Sequence, residues 1–424
     1  QTHKMKKIII LQQLMFLILI VSCQNKTVRI YKGNSPITTS YEKWRSIKPE
    51  MKSPRDLQNP GKIYMFKNAL YINERGLGIH IYNNSDPSSP IQLGFLDIHS
   101  NFDVAVKGNT LYAQSYSDLL IFDVSDPLKP IYINRELNVF SLNYDCVKEG
   151  YDENYPTKYV DMNKEVVLGW ELKTIEEEVE NSNRDDFSIL NNSSFAVSED
   201  MSSFSGGSGK GGSMASFTIL NNTLYVLDQT TLKYSSLDNE TDLPEFEEIW
   251  LSRDAETLFP HASNLFIGTT TGMLIYDIAK DGTPTYLSAF EHWTGCDPVV
   301  VSDDKAYVTL SSGCGLQRNE LHVVDVSNLS SPELIKSYDF DHPLGLGVDD
   351  STLFLCDDYA GLKVFNITNP EAIKDNMIKH YNGIQAYDVI PWNNLLIMVG
   401  SDGIFQYNYS DPENIVQLSH LKVQ

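Results

Sequence analysis

The sequence predicts an all-β fold, a seven-bladed β-propeller of four-stranded blades, with an N-terminal export segment and one long insertion after the second blade. Three observations predict it. A short alternating strand recurs seven times, as GIHIYNN from Gly78, DLLIFDV from Asp118, TLKYSSL from Thr231, GMLIYDI from Gly272, ELHVVDV from Glu320, GLKVFNITNP from Gly361 and GIFQYNY from Gly403. Each copy follows a strand of Leu-Tyr or Leu-Phe type, such as TLYA at Thr110 or TLFL at Thr352, and precedes a turn, often with proline, and a further extended segment. The spacing is the third observation. The equivalent Asn83, Asp123, Ser236, Asp277, Asp325, Asn366 and Asn408 are separated by 40, 113, 41, 48, 41 and 42 residues. Five of the six intervals lie near the about 40–45 residues of a four-stranded blade. Radial closure also removes the sheet edges that open β-sheets expose.

From the start of the chain, Lys4, Lys6 and Lys7 precede an apolar run from Ile8 to Val21, broken only by Gln12 and Gln13. The run is short for a membrane span and suits a signal h-region. It ends in Ile20-Val21-Ser22-Cys23, which resembles the lipobox of bacterial lipoproteins. That resemblance implies removal of residues 1–22, an upstream extension before Met5 included, and lipidation of Cys23. Two or more acyl chains give a stable anchor, so residues 23–60, polar and proline-bearing, read as a lipidated stalk. Thr27 to Tyr31 is its one possible strand, leading to the body or pairing with a blade edge.

The repeats fill residues 61–424. The long interval exceeds the others by roughly 72 residues and places an insertion at 141–213. The insertion holds a strand-like EVVLGW from Glu165 and a helical pattern, ELKTIEEEVEN, with Leu172, Ile175 and Val179 on one face. Its end, SSFSGGSGKGGS, reads as a linker. The third unit is degenerate, with Lys233 and Ser235 where other units carry apolar or aromatic residues.

LLIFDVSDP, GMLIYDI and LHVVDVSN resemble the LVIVD repeat of bacterial and archaeal surface proteins. The likeness extends from Gly61 to the C-terminus. NPGKIYMF, GGSMASFTI and DGIFQYNYSD are similar to the LVIVD-repeat lipoproteins of Bacteroidetes. The resemblance implies a β-propeller in the cell envelope, on an outer-membrane lipoprotein facing the periplasm or the cell surface. It implies no established activity.

Composition bounds the rest. Net charge is −23 with a pI near 4.7, so no basic face is available for nucleic acid. Cys296 and Cys314 flank one hairpin and are candidates for a disulfide, which an exported protein can form. Cys/His clusters of zinc spacing, nucleophile elbows and HExxH are absent from the sequence. His292 and His342 each precede an inner strand. Counting back from the Leu-Tyr strands gives Lys62, Asp103, Ser216, Glu256, Asp297, Gly345 and Asp388 as a candidate ring at one mouth of the central channel. Its carboxylates, Asp103, Glu256, Asp297 and Asp388, are either hydrated or paired locally, or they hold calcium through oxygen ligands. Otherwise no cofactor is expected. The leading function is a non-enzymatic binding or assembly scaffold for a protein or glycan partner. The alternatives are an extracytoplasmic hydrolase or lyase using the channel-mouth carboxylates and a structural surface-layer component.

Overall fold

The computed structural model describes residues 27–141, 160–179, 210–292, 298–312 and 318–424. The chain forms two units, one from residues 1–44 and 148–191, the other from 45–147 and 192–424.

The second unit is the seven-bladed β-propeller. Its blades begin with the strands Pro60–Phe66, Val104–Lys107, Phe217–Leu220, Ala255–His261, Val299–Ser302, Leu346–Asp349 and Ala386–Trp392. Each is followed in order by three antiparallel neighbours. The first strands adjoin one another around the axis, and the fourth lie outermost. The recurring stretch found in the sequence is the third strand of every blade, buried on both faces because blades pack face to face.

Two kinds of turn explain the repeat. The first and second strands are joined in every blade by two residues, the first at positive φ: Lys67, Gly108, Asn221, Ala262, Asp303, Asp350 and Asn393. Such turns match the twist of the strands they connect. The third and fourth strands are joined by a double side-chain cap. Asn83, Asp123, Ser236, Asp325, Asn366 and Asn408 each accept the N–H two residues on. Asp86, Asp126, Asn239, Asp281, Asn328, Asn369 and Asp411 repeat that bond later in the same turns. Asp and Asn side chains mimic a backbone turn in this way. In six blades the third–fourth strand pairing contains a bulge, which twists the exposed outer edge away from regular pairing.

The tyrosines of the Leu-Tyr strands join blades. Tyr71, Tyr112 and Tyr225 donate to the carbonyls of Pro127, Glu240 and Gly282 in the following blade's turn, at 2.7, 3.0 and 2.6 Å. Further round, outer-strand Tyr338 and Tyr381 reach Pro370 and Ile415 in the same way.

The second unit begins at Arg45. Met51–Lys52 pairs with the outer strand of the first blade, and Leu57 bridges Val423 in parallel near the chain end. Glu74, fully buried, fixes this lead-in by accepting Gln58 N–H, Asn59 N–H and His80 Nε2–H. The degenerate third blade keeps four strands. Its buried Lys233 pairs with Asp228 at 2.9 Å and donates to the Val139 carbonyl at 2.8 Å.

In the first unit, Thr27–Ser40 and Glu165–Val179 form a two-stranded antiparallel ribbon. The predicted strand at Thr27 is therefore real but longer, and it pairs with the insertion, not with a blade edge. The predicted helix over Leu172–Val179 is a strand. A 14-residue partner satisfies the backbone of this segment along its length, and that long-range pairing overrides the local helical period.

The proposed lipidation site Cys23, with the signal segment, and the proposed Cys296–Cys314 pair lie outside the described residues. Cys356 is buried in the sixth blade. No helix among the described residues is long and apolar enough to cross a membrane.

Candidate functional site

The candidate ring residues sit at the starts of the inner strands and are tied in two groups. Asp103, buried, accepts Lys62 Nζ at 2.9 Å and both the N–H and hydroxyl of Ser216 at 2.9 Å. Asp388, also buried, accepts the Ser213 hydroxyl at 2.8 Å. Gly345 lies against this carboxylate so closely that a Cβ there would stand 2.0 Å from Asp388 Oδ1. Glu256 is half-buried in the fourth blade. Asp297 lies outside the described residues. Among the described residues no group of three or more His, Cys, Asp and Glu side chains is placed to hold a metal ion.

What sequence reasoning missed is the segment that ties these groups. Residues 210–213, expected as linker, add a strand to the innermost edge of the first blade, with Lys210 opposite Met65 and Gly211 opposite Tyr64. Ser213 is fully buried and joins the sixth and seventh blades, because its hydroxyl also accepts the Leu346 N–H at 2.8 Å. The Ala215 carbonyl then accepts Leu258 N–H from the fourth blade, and Ser216 reaches Asp103 of the second. One run of chain thus crosses the channel and bonds to blades on opposite sides. Small residues permit it: Gly, Ser and Ala let the backbone approach inner strands whose N–H groups face the axis.

A second polar group occupies the face carrying the second–third strand turns and the blade-to-blade connections, here called the upper face. In the sixth blade the turn Asp357–Gly361 is locked. The buried Asp357 carboxylate accepts the N–H of His342 at 2.7 Å and pairs with Lys363. Gly361, at φ +86°, leaves room for the Tyr381 carbonyl, 1.9 Å from where a Cβ would be. Asp358, at φ +46°, accepts His342 Nδ1 at 2.9 Å and Gln385 Nε2 at 2.6 Å, while its carbonyl accepts Ala386 N–H of the seventh blade. A carboxylate only accepts, so His342 donates from a protonated Nδ1. Its side chain is 35% exposed.

Beside this pair, Tyr359 is 78% exposed. Burial raises the pKa of the Tyr387 hydroxyl, the Asp358 charge adds to the rise, and Arg75 of the first blade opposes it. Among the described residues the Arg75 guanidinium makes no ion pair, and its Nε is buried without a hydrogen-bond partner. Gly61 lies under the Arg75 stem, where a Cβ would stand 2.9 Å from Cγ. His342 was visible in the sequence by its place before an inner strand. Arg75, Asp358 and Tyr359 were not.

His292 follows the outer strand of the fourth blade and packs edge-on to His322 at 5.8 Å. His322, held by Glu320 at 2.8 Å, has its pKa lowered chiefly by burial.

The comparisons with known proteins bear on the repeat and the fold. The LVIVD repeat matches residues 100–135, the second blade with its lead-in, and 296–340, the fifth. The chain therefore carries LVIVD repeats on a β-propeller. Among curated proteins none matches. Among solved structures, a protein from Lactobacillus plantarum is similar at TM-score 0.52 and 10% identity, over 86% of this chain and 96% of that one. The computationally designed Ika8 protein is similar at TM-score 0.49 and 10% identity, over 89% and 92%. At such identity the likeness to the Lactobacillus plantarum protein speaks to the fold alone.

Proposed function

We propose that this protein is a non-enzymatic binding or assembly scaffold of the bacterial cell envelope, anchored to the outer membrane through lipidated Cys23. It presents its upper face to a protein or glycan partner. The observation that carries the reading is the crossing of the channel by residues 211–216. The axial carboxylates Asp103 and Asp388, which a channel-mouth hydrolase or lyase needs as acid and base, are engaged by Ser216 and Ser213 of the same chain. The upper face carries Tyr359 and the 72% exposed Trp250 at different blades. Loops on a rigid frame commonly carry binding.

Cross-linking in intact cells tests this. A stoichiometric partner is expected, and Trp250→Ala combined with Tyr359→Ala should deplete it. Recovery of ordered self-assemblies alone would replace the reading with the surface-layer one. Fatty-acid labelling tests the anchor: label should enter the wild type and be lost in Cys23→Ser, and equal labelling of both would remove it.

A further inference from the structure

We propose that Glu74, His80 and Gln92 form an acid-sensitive latch. One proton taken up by this buried group loosens the lead-in at residues 55–59 and unclasps Leu57 from residues 423–424, at the seam between the first and seventh blades.

The donors and acceptors of the group fix its proton count. Glu74 and His80 are both fully buried. The Glu74 carboxylate accepts the N–H groups of Gln58 at 3.2 Å and Asn59 at 2.5 Å, and faces His80 Nε2 at 2.7 Å. A carboxylate only accepts, so Nε2 carries a proton. On the other side of the ring, the Gln92 amide nitrogen donates to the Arg55 carbonyl at 2.7 Å and stands 2.9 Å from His80 Nδ1. An amide nitrogen only donates, so Nδ1 accepts and the imidazole is neutral.

An added proton has no place in that row. On Glu74 it meets three donors, and the bond to Gln58 or Asn59 gives way. Handed on to His80, it sits on Nδ1 against the hydrogens of Gln92. Turning the amide over brings its oxygen to the ring but also sets that oxygen against the Arg55 carbonyl. At either site the bond lost is one to the lead-in, and a buried polar group left unmatched is costly.

The lead-in has few other holds. Leu57, 3% exposed, bridges Val423 in parallel and accepts the Gln424 N–H at 2.9 Å. Arg55 lies over the Phe95 ring at 4.4 Å, the Asn59 carbonyl accepts the Arg75 N–H at 3.2 Å, and Met51–Lys52 adds two residues of strand. The Phe95 ring also meets His80 edge-on at 4.9 Å. Burial, then the Glu74 and Asp56 charges, push the neighbouring Tyr82 hydroxyl up to about 12. Tyr387 of the seventh blade packs against the apolar cluster that holds Leu57 and Tyr82. Arginines and phenols keep their charge state through the acid range, which leaves Glu74, His80 and the exposed Asp56 to take up protons.

Burial alone raises the Glu74 carboxyl, but its bonds from His80, Asn59 and Gln58 outweigh that and hold it below its ordinary value. The closed latch is therefore favoured above the open-state value, about 4.3, and loses this as pH falls through the closed-state value. Because Glu74 and His80 share the proton, they titrate as one unit.

Hydrogen exchange read by mass spectrometry on the full chain, over a pH series with intrinsic rates divided out, is the test. Peptides covering residues 55–59 and 420–424 should open about tenfold or more on the acid side, while the third strand of the sixth blade, Leu362–Asn366, stays protected. Glu74→Gln should leave those peptides open at every pH. His80→Gln, which keeps a donor toward Glu74 but takes no proton, should move the opening to lower pH, and Asp56→Asn should leave it unchanged. Thermal melts establish that each variant is folded, and the wild-type pattern decides alone where one is not. Acid opening spread equally over all blades, protection of residues 55–59 unchanged by acid, or a His80→Gln profile identical to the wild type would each overturn the latch.

Discussion

The side-chain amides of Asn84 and Gln406, separated by 322 positions in the chain, exchange two hydrogen bonds of 2.8 and 2.9 Å inside the protein. They belong to the first and seventh blades and join the two ends of the ring. Around them Ile63, Met65 and Leu70 pack against Ile390, Ile397 and Ile404, and Gln424 N–H bonds to the Leu57 carbonyl at 2.9 Å. Blades one and seven thus close by side-chain packing and a terminal clasp, with each blade built from consecutive strands.

Gln406→Ala leaves the buried Asn84 amide without its reciprocal partner. The expected cost is about 1–3 kcal/mol. A lowered denaturant midpoint checks it, and Asn84→Ala in the same background should add little, because the bond is already gone.

Lys233→Met removes the cation from the buried Asp228 while preserving volume. Asp228 also accepts the Ser141 N–H and hydroxyl, so the loss is partly offset. Breaking one partner of a buried pair costs about 3–5 kcal/mol, and this site should lie at the low end. Replacing both Lys233 and Asp228 by apolar residues should recover stability relative to the single variant.

Tyr71→Phe, Tyr112→Phe and Tyr225→Phe each delete one bond between blades without a change in packing. Each should cost about 1 kcal/mol, and the three should be nearly additive, since they join different pairs of blades. Thermal unfolding of the single and triple variants is the measurement.

Stability should fall on the acid side. Burial alone raises the Glu74 pKa, but the hydrogen bonds from His80 and from the Asn59 and Gln58 N–H groups outweigh it and hold the carboxyl below its ordinary value. The turn carboxylates Asp86, Asp123, Asp325 and Asp411 are lowered in the same sense, first by their bonds to Ser88, Ser125, Ser327 and Asn414. A carboxylate with a lowered folded pKa stabilises above its unfolded value, about 4 to 4.5, and loses this as pH falls through the folded value. Melting temperature should drop below about pH 4.5, and Glu74→Gln should flatten that drop, at a lower plateau. An acid limb unchanged by Glu74→Gln would count against this assignment.

The candidate site was partly legible. His342, Asp103 and Asp388 stand out because each precedes or begins an inner strand, a position that the period alone locates. Their partners do not stand out. Ser213 meets Asp388 across 175 positions, and Asn84 meets Gln406 only because the ring brings the first blade beside the seventh. The helical pattern at Leu172 misled for a related reason, since its strand partner lies at Asn34, far upstream.

By itself the sequence determined the number of blades, their strands and their turns, because those depend on neighbours within one repeat: alternation sets the strands, and Asp, Asn and Gly at fixed offsets set the turns. It also located the insertion, by interrupting the period. Only the tertiary structure decided where the insertion's end goes, how the ring closes and which charged groups meet. Those outcomes depend on contacts between residues hundreds of positions apart, which local spacing does not encode.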